Sequence, residues 1–330
     1  MVLSNCHLRQ KSSSWDQVLV THFYTGEVHS SPVVGSLGLL MGLLCGSFLN
    51  VCIDRLPRGE SVVSPGSHCD NCGRHIRWFD NVPLLSFFLL RGKCRYCEAA
   101  IRWRHPAVEL ATGIWFLLGA LPLSQGVFWT DAAFRLVIHQ AAFCSLGFFL
   151  IGLAVTDWQH QRLPNALVFP GMALGFFLVC TDAMFLGEND YNLVLQRKIN
   201  LNAAGSGRST GNIFLTGPEH LVYGRLLAVV SCFLLLFTIR GVYRAVRKRD
   251  GMGLGDAKLL AMIASFAGFA PAMLSFFLGT LFASVYGLVL LGRRRASGLT
   301  RLPFGSFLAV GGLLAALTGE SLLNWYLHLF

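Results

Sequence analysis

The sequence predicts an all-α polytopic membrane protein with about eight transmembrane helices and a polar, cysteine-containing loop domain. The chain of 330 residues is 54% hydrophobic and only 13% charged, whereas soluble domains carry about 25% charged residues. Several apolar runs approach ~20 residues, the length that crosses a bilayer as a helix. The short alternating segments typical of transmembrane β-strands are not evident, so we expect helical spans.

The chain opens with a polar lead-in, residues 1–32, followed by the first predicted span at about Pro32–Ile53. The lead-in has no apolar segment of the kind found in cleavable signal peptides, and its role cannot be inferred from its residues. Small residues recur along the span, namely Gly35, Gly38, Gly42, Gly46 and Ser47. Because such residues let helices approach closely in lipid, we expect this span to pack tightly against another.

Residues 54–104 form a polar, basic loop that contains two Cys-x-x-Cys pairs. An apolar stretch between the pairs, residues 82–90, is too short to cross a bilayer, and we expect it to lie at the membrane interface. The loop is therefore predicted to form a small domain at one membrane face.

Seven further spans are predicted after this loop, at about residues 106–123, 132–156, 163–186, 221–243, 257–270, 271–292 and 304–327. Pro271 interrupts the apolar run 257–292, and a tight turn at Gly268–Pro271 favours two helices over one broken element. Residues 187–220 are polar and are predicted to form an inserted loop that faces away from the functional residues.

The distribution of basic residues predicts the orientation of the spans. If eight spans alternate in direction, the loops 54–104, 157–162, 240–258 and 293–301 share one face of the membrane. They contain nine, one, six and four Lys or Arg residues respectively, which is 20 of the 27 in the chain. The positive-inside rule assigns that face to the cytoplasm and both termini to the outside. The net charge of +10 is explained by this bias and by contact with acidic lipid, so no nucleic-acid partner is predicted.

The two Cys-x-x-Cys pairs predict a cytoplasmic zinc-binding loop domain. Their spacing matches a closed, tetrahedral Zn²⁺ site with four thiolates, supplied by Cys69, Cys72, Cys94 and Cys97. Gly73 follows the first pair and suits the tight turn that presents two sulfurs to one ion. Disulfides are disfavoured in the reducing cytoplasm, while free or redox-active thiols stay an alternative. His68 and His75 lie nearby as substitute ligands, although four cysteines already complete the shell.

Two aspartates stand at the ends of predicted spans. Asp157 ends the third span, and Asp256 begins the sixth within the stretch Gly251-Met252-Gly253-Leu254-Gly255-Asp256. By the predicted orientation, both carboxylates lie at the same depth on the cytoplasmic side. A charge at this position is costly unless it has a role, and the glycines allow another backbone to come close.

Two facing carboxylates suggest aspartyl protease chemistry. At hydrogen-bond range both cannot easily ionise, so one keeps a proton. The ionised group can take a proton from water while the protonated group polarises a peptide carbonyl. Taken singly, each aspartate is more often an interfacial charge or a helix cap, and that alternative stays open. A transporter with paired carboxylates as a proton site would place them deeper in the spans.

Other motifs point less directly to chemistry. Glu109 lies early in the second span, where it either caps the helix start after Pro106 or faces a functional cavity. His160 and Lys258 neighbour the aspartates in sequence and could tune them, although solvated positions are the commoner outcome. The alternating glycines are not a dinucleotide fingerprint, because no strand precedes them.

A set of short motifs runs along the chain in a fixed order. They are Gly46-Ser47-Phe48-Leu49-Asn50-Val51 with Arg55-Leu56-Pro57, residues 90–97 in the cysteine loop, residues 105–110, Asp157 with Leu163-Pro164, residues 251–259 and Pro303-Phe304-Gly305. In order and spacing they resemble the bacterial type IV prepilin peptidases, which are membrane aspartyl proteases of the Gly-x-Gly-Asp kind. The resemblance covers about residues 33–320.

The resemblance implies a bifunctional enzyme of the bacterial inner membrane. Members of the family cleave the basic leader from type IV prepilins or type II secretion pseudopilins at the cytoplasmic face. They then N-methylate the new N-terminal residue with S-adenosylmethionine. For this chain it implies catalytic roles for Asp157 and Asp256 and structural zinc at the four cysteines, in the loop tied to methyl transfer. No residue that binds the methyl donor is identified.

The domain organisation that follows has three parts: the lead-in, a methyltransferase region at 33–130 around the zinc loop, and a six-helix peptidase domain at 131–330. The alternative is a zinc-stabilised, non-catalytic membrane assembly protein whose aspartates only cap helices. One departure is Asn165, where the family commonly has Asp after Leu-Pro.

Overall fold

The computed structural model describes residues 32–125, 131–184, 217–248, 253–293 and 302–328. Within these residues the protein is helical, and β pairing is confined to two isolated bridges in the cysteine loop. The all-α prediction is therefore confirmed. The lead-in up to residue 31 and most of the predicted 187–220 insertion lie outside the described residues.

Nine α-helices follow one another along the described chain: α1 (Pro32–Arg55), α2 (Leu85–Leu89), α3 (Arg104–Ala120), α4 (Asp131–His160), α5 (Asn165–Met184), α6 (Gly217–Arg247), α7 (Leu254–Ala267), α8 (Phe269–Gly292) and α9 (Phe304–His328). Three short 3₁₀ helices lie at Leu56–Arg58, Trp78–Asn81 and Pro122–Gln125. Each of the eight predicted spans coincides with one of these helices. The remaining helix, α2, falls in the apolar stretch that is too short to cross a bilayer.

In the described part of the chain, five helices are long and apolar enough to cross a membrane, at Pro32–Arg58, Phe134–His160, Asn165–Met184, Leu221–Arg247 and Phe269–Gly292. Helix α7 has only 14 residues and spans about 21 Å, less than the ~30 Å of a hydrocarbon core. It packs against α4, α5, α6, α8 and α9. Its residues 259–264 are at most 1% exposed, as expected for a helix that is apolar on every side. Helix α7 is therefore the centre of the bundle.

Helices α1 and α3 pack closely along a face of α1 that carries glycine at every fourth position. A Cβ atom at Gly42 would lie 2.5 Å from the carbonyl oxygen of Thr112, and one at Gly46 would lie 2.7 Å from the Cα atom of Glu109. Only glycine allows this approach of two backbones. The predicted role of small residues in α1 is confirmed at these positions, and the contact places Glu109 against α1.

Gly268 separates helices α7 and α8. Its φ of +87° lies in the left-handed region that glycine adopts at little cost. Pro271 then falls in the first turn of α8, where a helix does not need the missing N–H. The prediction of two helices here is confirmed.

Candidate aspartate site and metal centre

Asp157 lies in the last turn of α4 and is 5% exposed. Its Oδ2 accepts a hydrogen bond of 2.7 Å from the backbone N–H of Ser306, whose hydroxyl lies 3.2 Å from the same oxygen. Ser306 belongs to the first turn of α9, where backbone N–H groups have no partner within the helix. The N-terminus of α9 therefore holds the carboxylate in place and favours its negative charge.

Gly305 permits this contact. A Cβ atom at this position would lie 2.9 Å from Oδ2 of Asp157, closer than a carbon normally approaches a carboxylate oxygen. Gly305 belongs to the sequence motif Pro303-Phe304-Gly305, but no function of Gly305 or Ser306 follows from the sequence. The available signal is a glycine in the first turn of an apolar helix, next to a residue whose backbone N–H has no acceptor within that helix.

Asp256 lies in the first turn of α7 and is 7% exposed. Its Oδ2 accepts a hydrogen bond of 3.1 Å from the backbone N–H of Gly253, the contact that an acidic residue makes in a capping box. Gly251 and Met252 lie outside the described residues. The carboxylate is therefore both a helix cap and a buried acid, and capping does not exclude a chemical role.

The structure brings the two aspartates to one end of the bundle. The two carboxyl groups lie close enough to interact electrostatically. Leu163 contacts both Gly255, which precedes Asp256, and Gly305, which contacts Asp157. A Cβ atom at Gly255 would lie 3.1 Å from the Cβ of Leu163, and one at Gly305 would lie 3.0 Å from the Cδ1 of Leu163. The end of α4 and the starts of α7 and α9 thus converge around one small space. The arrangement is a pair of buried carboxyl groups that share their electrostatic environment.

The contacts of Lys258 in the described structure point away from the aspartates. Its Nζ donates a 3.0 Å hydrogen bond to Oδ1 of Asn165 and lies 5.2 Å from the ring centre of Phe169. Both partners belong to α5, so Lys258 ties α7 to α5. No described contact links His160 to either carboxyl group.

The four predicted cysteines form one cluster. Their Sγ atoms all lie within 4.8 Å of one another, and the sulfurs of Cys69 and Cys97 are 3.8 Å apart. A tetrahedral ion with Zn–S bonds of about 2.3 Å places its sulfurs about 3.8 Å apart. Among the described residues the cluster contains neither His68 nor His75. The set of donors and its geometry therefore fit a metal ion bound by four thiolates.

Two turns of the same design build this cluster. In the first, the N–H of Gly73 donates to the carbonyl of Cys69 at 2.8 Å, and in the second, the N–H of Glu98 donates to that of Cys94 at 3.0 Å. Both donor residues have positive φ, +68° and +55°. The predicted turn at Gly73 is present, and Glu98 makes the matching turn without glycine.

Hydrogen bonds also favour the metal-binding form of one thiol. The backbone N–H of Ala99 and the side chain of Asn71, whose Nδ2 lies 3.6 Å from the sulfur, lower the pKa of Cys97 to about 6. Metals bind the thiolate rather than the thiol. These two hydrogen bonds therefore favour the thiolate form of Cys97.

Comparison with known proteins finds a matching family in each half of the chain. Residues 40–123 match the bacterial peptidase A24 N-terminal domain, and residues 144–288 match the type IV leader peptidase family. The "Prepilin leader peptidase/N-methyltransferase" of Pseudomonas aeruginosa is 31% identical, over 88% of this chain and 92% of the relative.

Two other relatives agree with this match. The Escherichia coli "Type 4 prepilin-like proteins leader peptide-processing enzyme" is 32% identical over 86% of this chain and 92% of its own length. A "Prepilin leader peptidase/N-methyltransferase" of Xanthomonas campestris is 28% identical over 87% of this chain and 92% of its own length. No solved structure is significantly similar to the chain. The chain therefore belongs to the type IV leader peptidase family.

Proposed function

We propose that the protein cleaves the leader peptide from type IV prepilins or type II secretion pseudopilins and then N-methylates the new N-terminus. The observation that carries the peptidase is the pair of buried aspartates at one end of the helix bundle. The names of the relatives, which join a leader peptidase to an N-methyltransferase, support both activities.

The two aspartates have unequal surroundings, which assigns them different roles. Asp157 receives the N–H groups of Gly305 and Ser306 at the start of α9, and these donors stabilise a carboxylate. Asp256 receives one N–H, that of Gly253. In our proposal Asp157 is the base that takes a proton from water, and Asp256 keeps a proton and donates a hydrogen bond to the scissile carbonyl.

The zinc-binding loop belongs to the second activity in this proposal. We assign Zn²⁺ to the four-cysteine cluster, because a closed site of four thiolates is typical of structural zinc. The region 33–130 then supports methyl transfer, and residues 131–330 form the peptidase domain. S-adenosylmethionine would supply the methyl group.

The location of the site fits the proposed substrate. A prepilin has a basic leader followed by an apolar membrane helix, so its cleavage site lies at the membrane surface. We place the protein in the bacterial inner membrane with the cysteine loop and both aspartates on the cytoplasmic side and both termini outside. The bias of basic residues supports this sidedness.

A direct test incubates the purified protein in lipid with a peptide that carries a basic leader and the start of an apolar helix. Mass spectrometry reads the products with and without S-adenosylmethionine. We expect leader loss in both samples and a mass gain of one methyl group only with the donor. An uncleaved peptide would refute the peptidase, and a cleaved but unmethylated one would refute the methyltransferase.

A further inference from the structure

A cavity of about 400 Å³ separates the cysteine loop from helices α1 and α3. Its volume falls within the ~300–1,000 Å³ typical of small-molecule sites. Residues three or four positions apart share one face of a helix, and two such faces line the cavity: Ser47, Asn50, Val51 and Asp54 of α1, and His105, Pro106 and Glu109 of α3. The cavity is thus built into the packing of these helices and lies apart from the aspartate pair.

The helix side of the cavity is rich in hydrogen-bond acceptors. Asn50 is 5% exposed, and its Nδ2 donates to the carbonyl of His105 at 3.0 Å. Its Oδ1 is buried and has no hydrogen-bond partner in the described structure. Glu109 faces the same cavity, where its Oε2 accepts a 2.9 Å hydrogen bond from the N–H of Leu84. A carboxylate that faces the cavity suits a ligand with an ammonium group.

The cysteine-loop side combines polar and charged residues, Arg74 and Arg95 among them, with a set of apolar ones. The aromatic and aliphatic side chains are those of Phe87, Tyr96, Ile76, Leu90 and Ile101. Such a surface accepts a flat heteroaromatic ring. A ligand that fits both sides therefore carries an aromatic base at one end and an ammonium group at the other.

We propose that this cavity binds S-adenosylmethionine, with the Glu109 carboxylate receiving its ammonium group and the cysteine loop covering its adenine. The inference rests on the proposed methyltransferase function and gives that function a binding site. Glu109 then faces a functional cavity, which is one of the two alternatives that the sequence leaves open for it, the other being a cap of the helix start.

Two structural links connect the cavity to the place where a cleaved substrate would be. Arg104 donates to Asp54 at 2.6 Å and to Gln159 at 2.7 Å, and Gln159 lies two residues after Asp157. A second cavity of about 320 Å³ adjoins the first and reaches the exposed side of α1 at Leu44 and Phe48. An apolar chain end leaving the aspartates can thus approach the donor cavity from the lipid side.

Equilibrium dialysis with radiolabelled S-adenosylmethionine tests the site without any turnover. We expect Glu109→Gln to weaken binding about tenfold or more, because a charge-assisted hydrogen bond is lost while the side-chain shape is kept. Asp182→Asn is the control, since Asp182 is also a carboxylate within the helix bundle but belongs to α5 and does not line the cavity. Unchanged binding in Glu109→Gln would overturn the assignment.

Ultraviolet crosslinking of the labelled donor to the wild-type protein avoids any concern about misfolded variants. Peptide mapping should place the label between residues 44 and 109. A label found only beyond residue 131 would refute this cavity while leaving the methyltransferase intact. A wild-type protein that neither binds the donor nor methylates peptide would instead refute the proposed function from which the inference starts.

Discussion

The aspartate site and the cysteine loop differ in what holds them together. Asp157 and Asp256 lie at the ends of helices α4 and α7, whose neighbours form a continuous buried core. Between residues 56 and 103, in contrast, Ser86 alone is buried, and the secondary structure consists of short helical turns and isolated bridges. A segment that buries so little apolar surface cannot fold on its own and needs a metal or another crosslink. We therefore expect the two sites to respond to different perturbations.

The largest effect should come from the aspartates themselves. We expect Asp157→Asn and Asp256→Asn each to slow leader cleavage by at least about 10²–10⁴-fold, because proton transfer by a positioned acid or base contributes that much. Zinc content should not change, since the cysteine loop does not depend on these carboxylates. Quantitative mass spectrometry of the peptide products measures the rate.

Asp182→Asn is the matched control for these two variants. Asp182 is as buried as Asp256, at 7% exposed, and pairs with Arg135 at 3.0 Å, at the end of α5 far from the aspartate pair. It should affect stability without abolishing cleavage. Full processing by Asp157→Asn or Asp256→Asn would exclude the proposed dyad.

Metal removal should affect the other region. Chelation, or Cys94→Ser, should release the bound zinc, make residues 56–103 sensitive to protease and abolish methyl transfer, since structural zinc supplies about 10–16 kcal/mol of folding free energy in small domains. Limited proteolysis and metal analysis provide the measurements. Cys45→Ser, which changes a thiol of α1 outside the cluster, should keep both zinc and protease resistance. An unchanged proteolysis pattern after complete metal loss would show that the loop is held by its protein contacts.

The sequence predicts the parts of both sites that follow from periodicity, charge and spacing. Apolar length predicts the helices, the bias of basic residues places Asp157 and Asp256 at one depth, and the cysteine spacing predicts the cluster. The sequence does not reveal Ser306 as the partner of Asp157, because 149 positions separate them and no local pattern connects the two. Asn50 is likewise not identified from the sequence, because its side chain becomes buried only when α1 packs against α3.

A smaller loss is expected from Gly305→Ala. The added methyl group would lie 2.9 Å from Oδ2 of Asp157 and must displace the carboxylate, and misplacement by about 1 Å can cost a hundredfold in rate. We expect cleavage to fall by about 10–100-fold. Gly319→Ala in the same helix is the control, because its Cβ would meet Leu274 at an ordinary 3.7 Å. Equal rates for the two variants would mean that the contact of α9 with Asp157 does not matter for catalysis.

Ser306→Ala should have the smallest effect. The substitution removes the hydroxyl 3.2 Å from Asp157 but keeps the backbone N–H at 2.7 Å. A neutral hydrogen bond contributes about 0.5–1.5 kcal/mol, so cleavage should fall by less than about tenfold. In the cysteine loop, by contrast, side chains alone would supply the metal ligands, and one substitution would remove an entire bond to the ion. If Ser306→Ala slowed cleavage as much as Asp157→Asn does, the aspartate site would depend on single side chains, as the cysteine loop does. The backbone of α9 would then not be what positions Asp157.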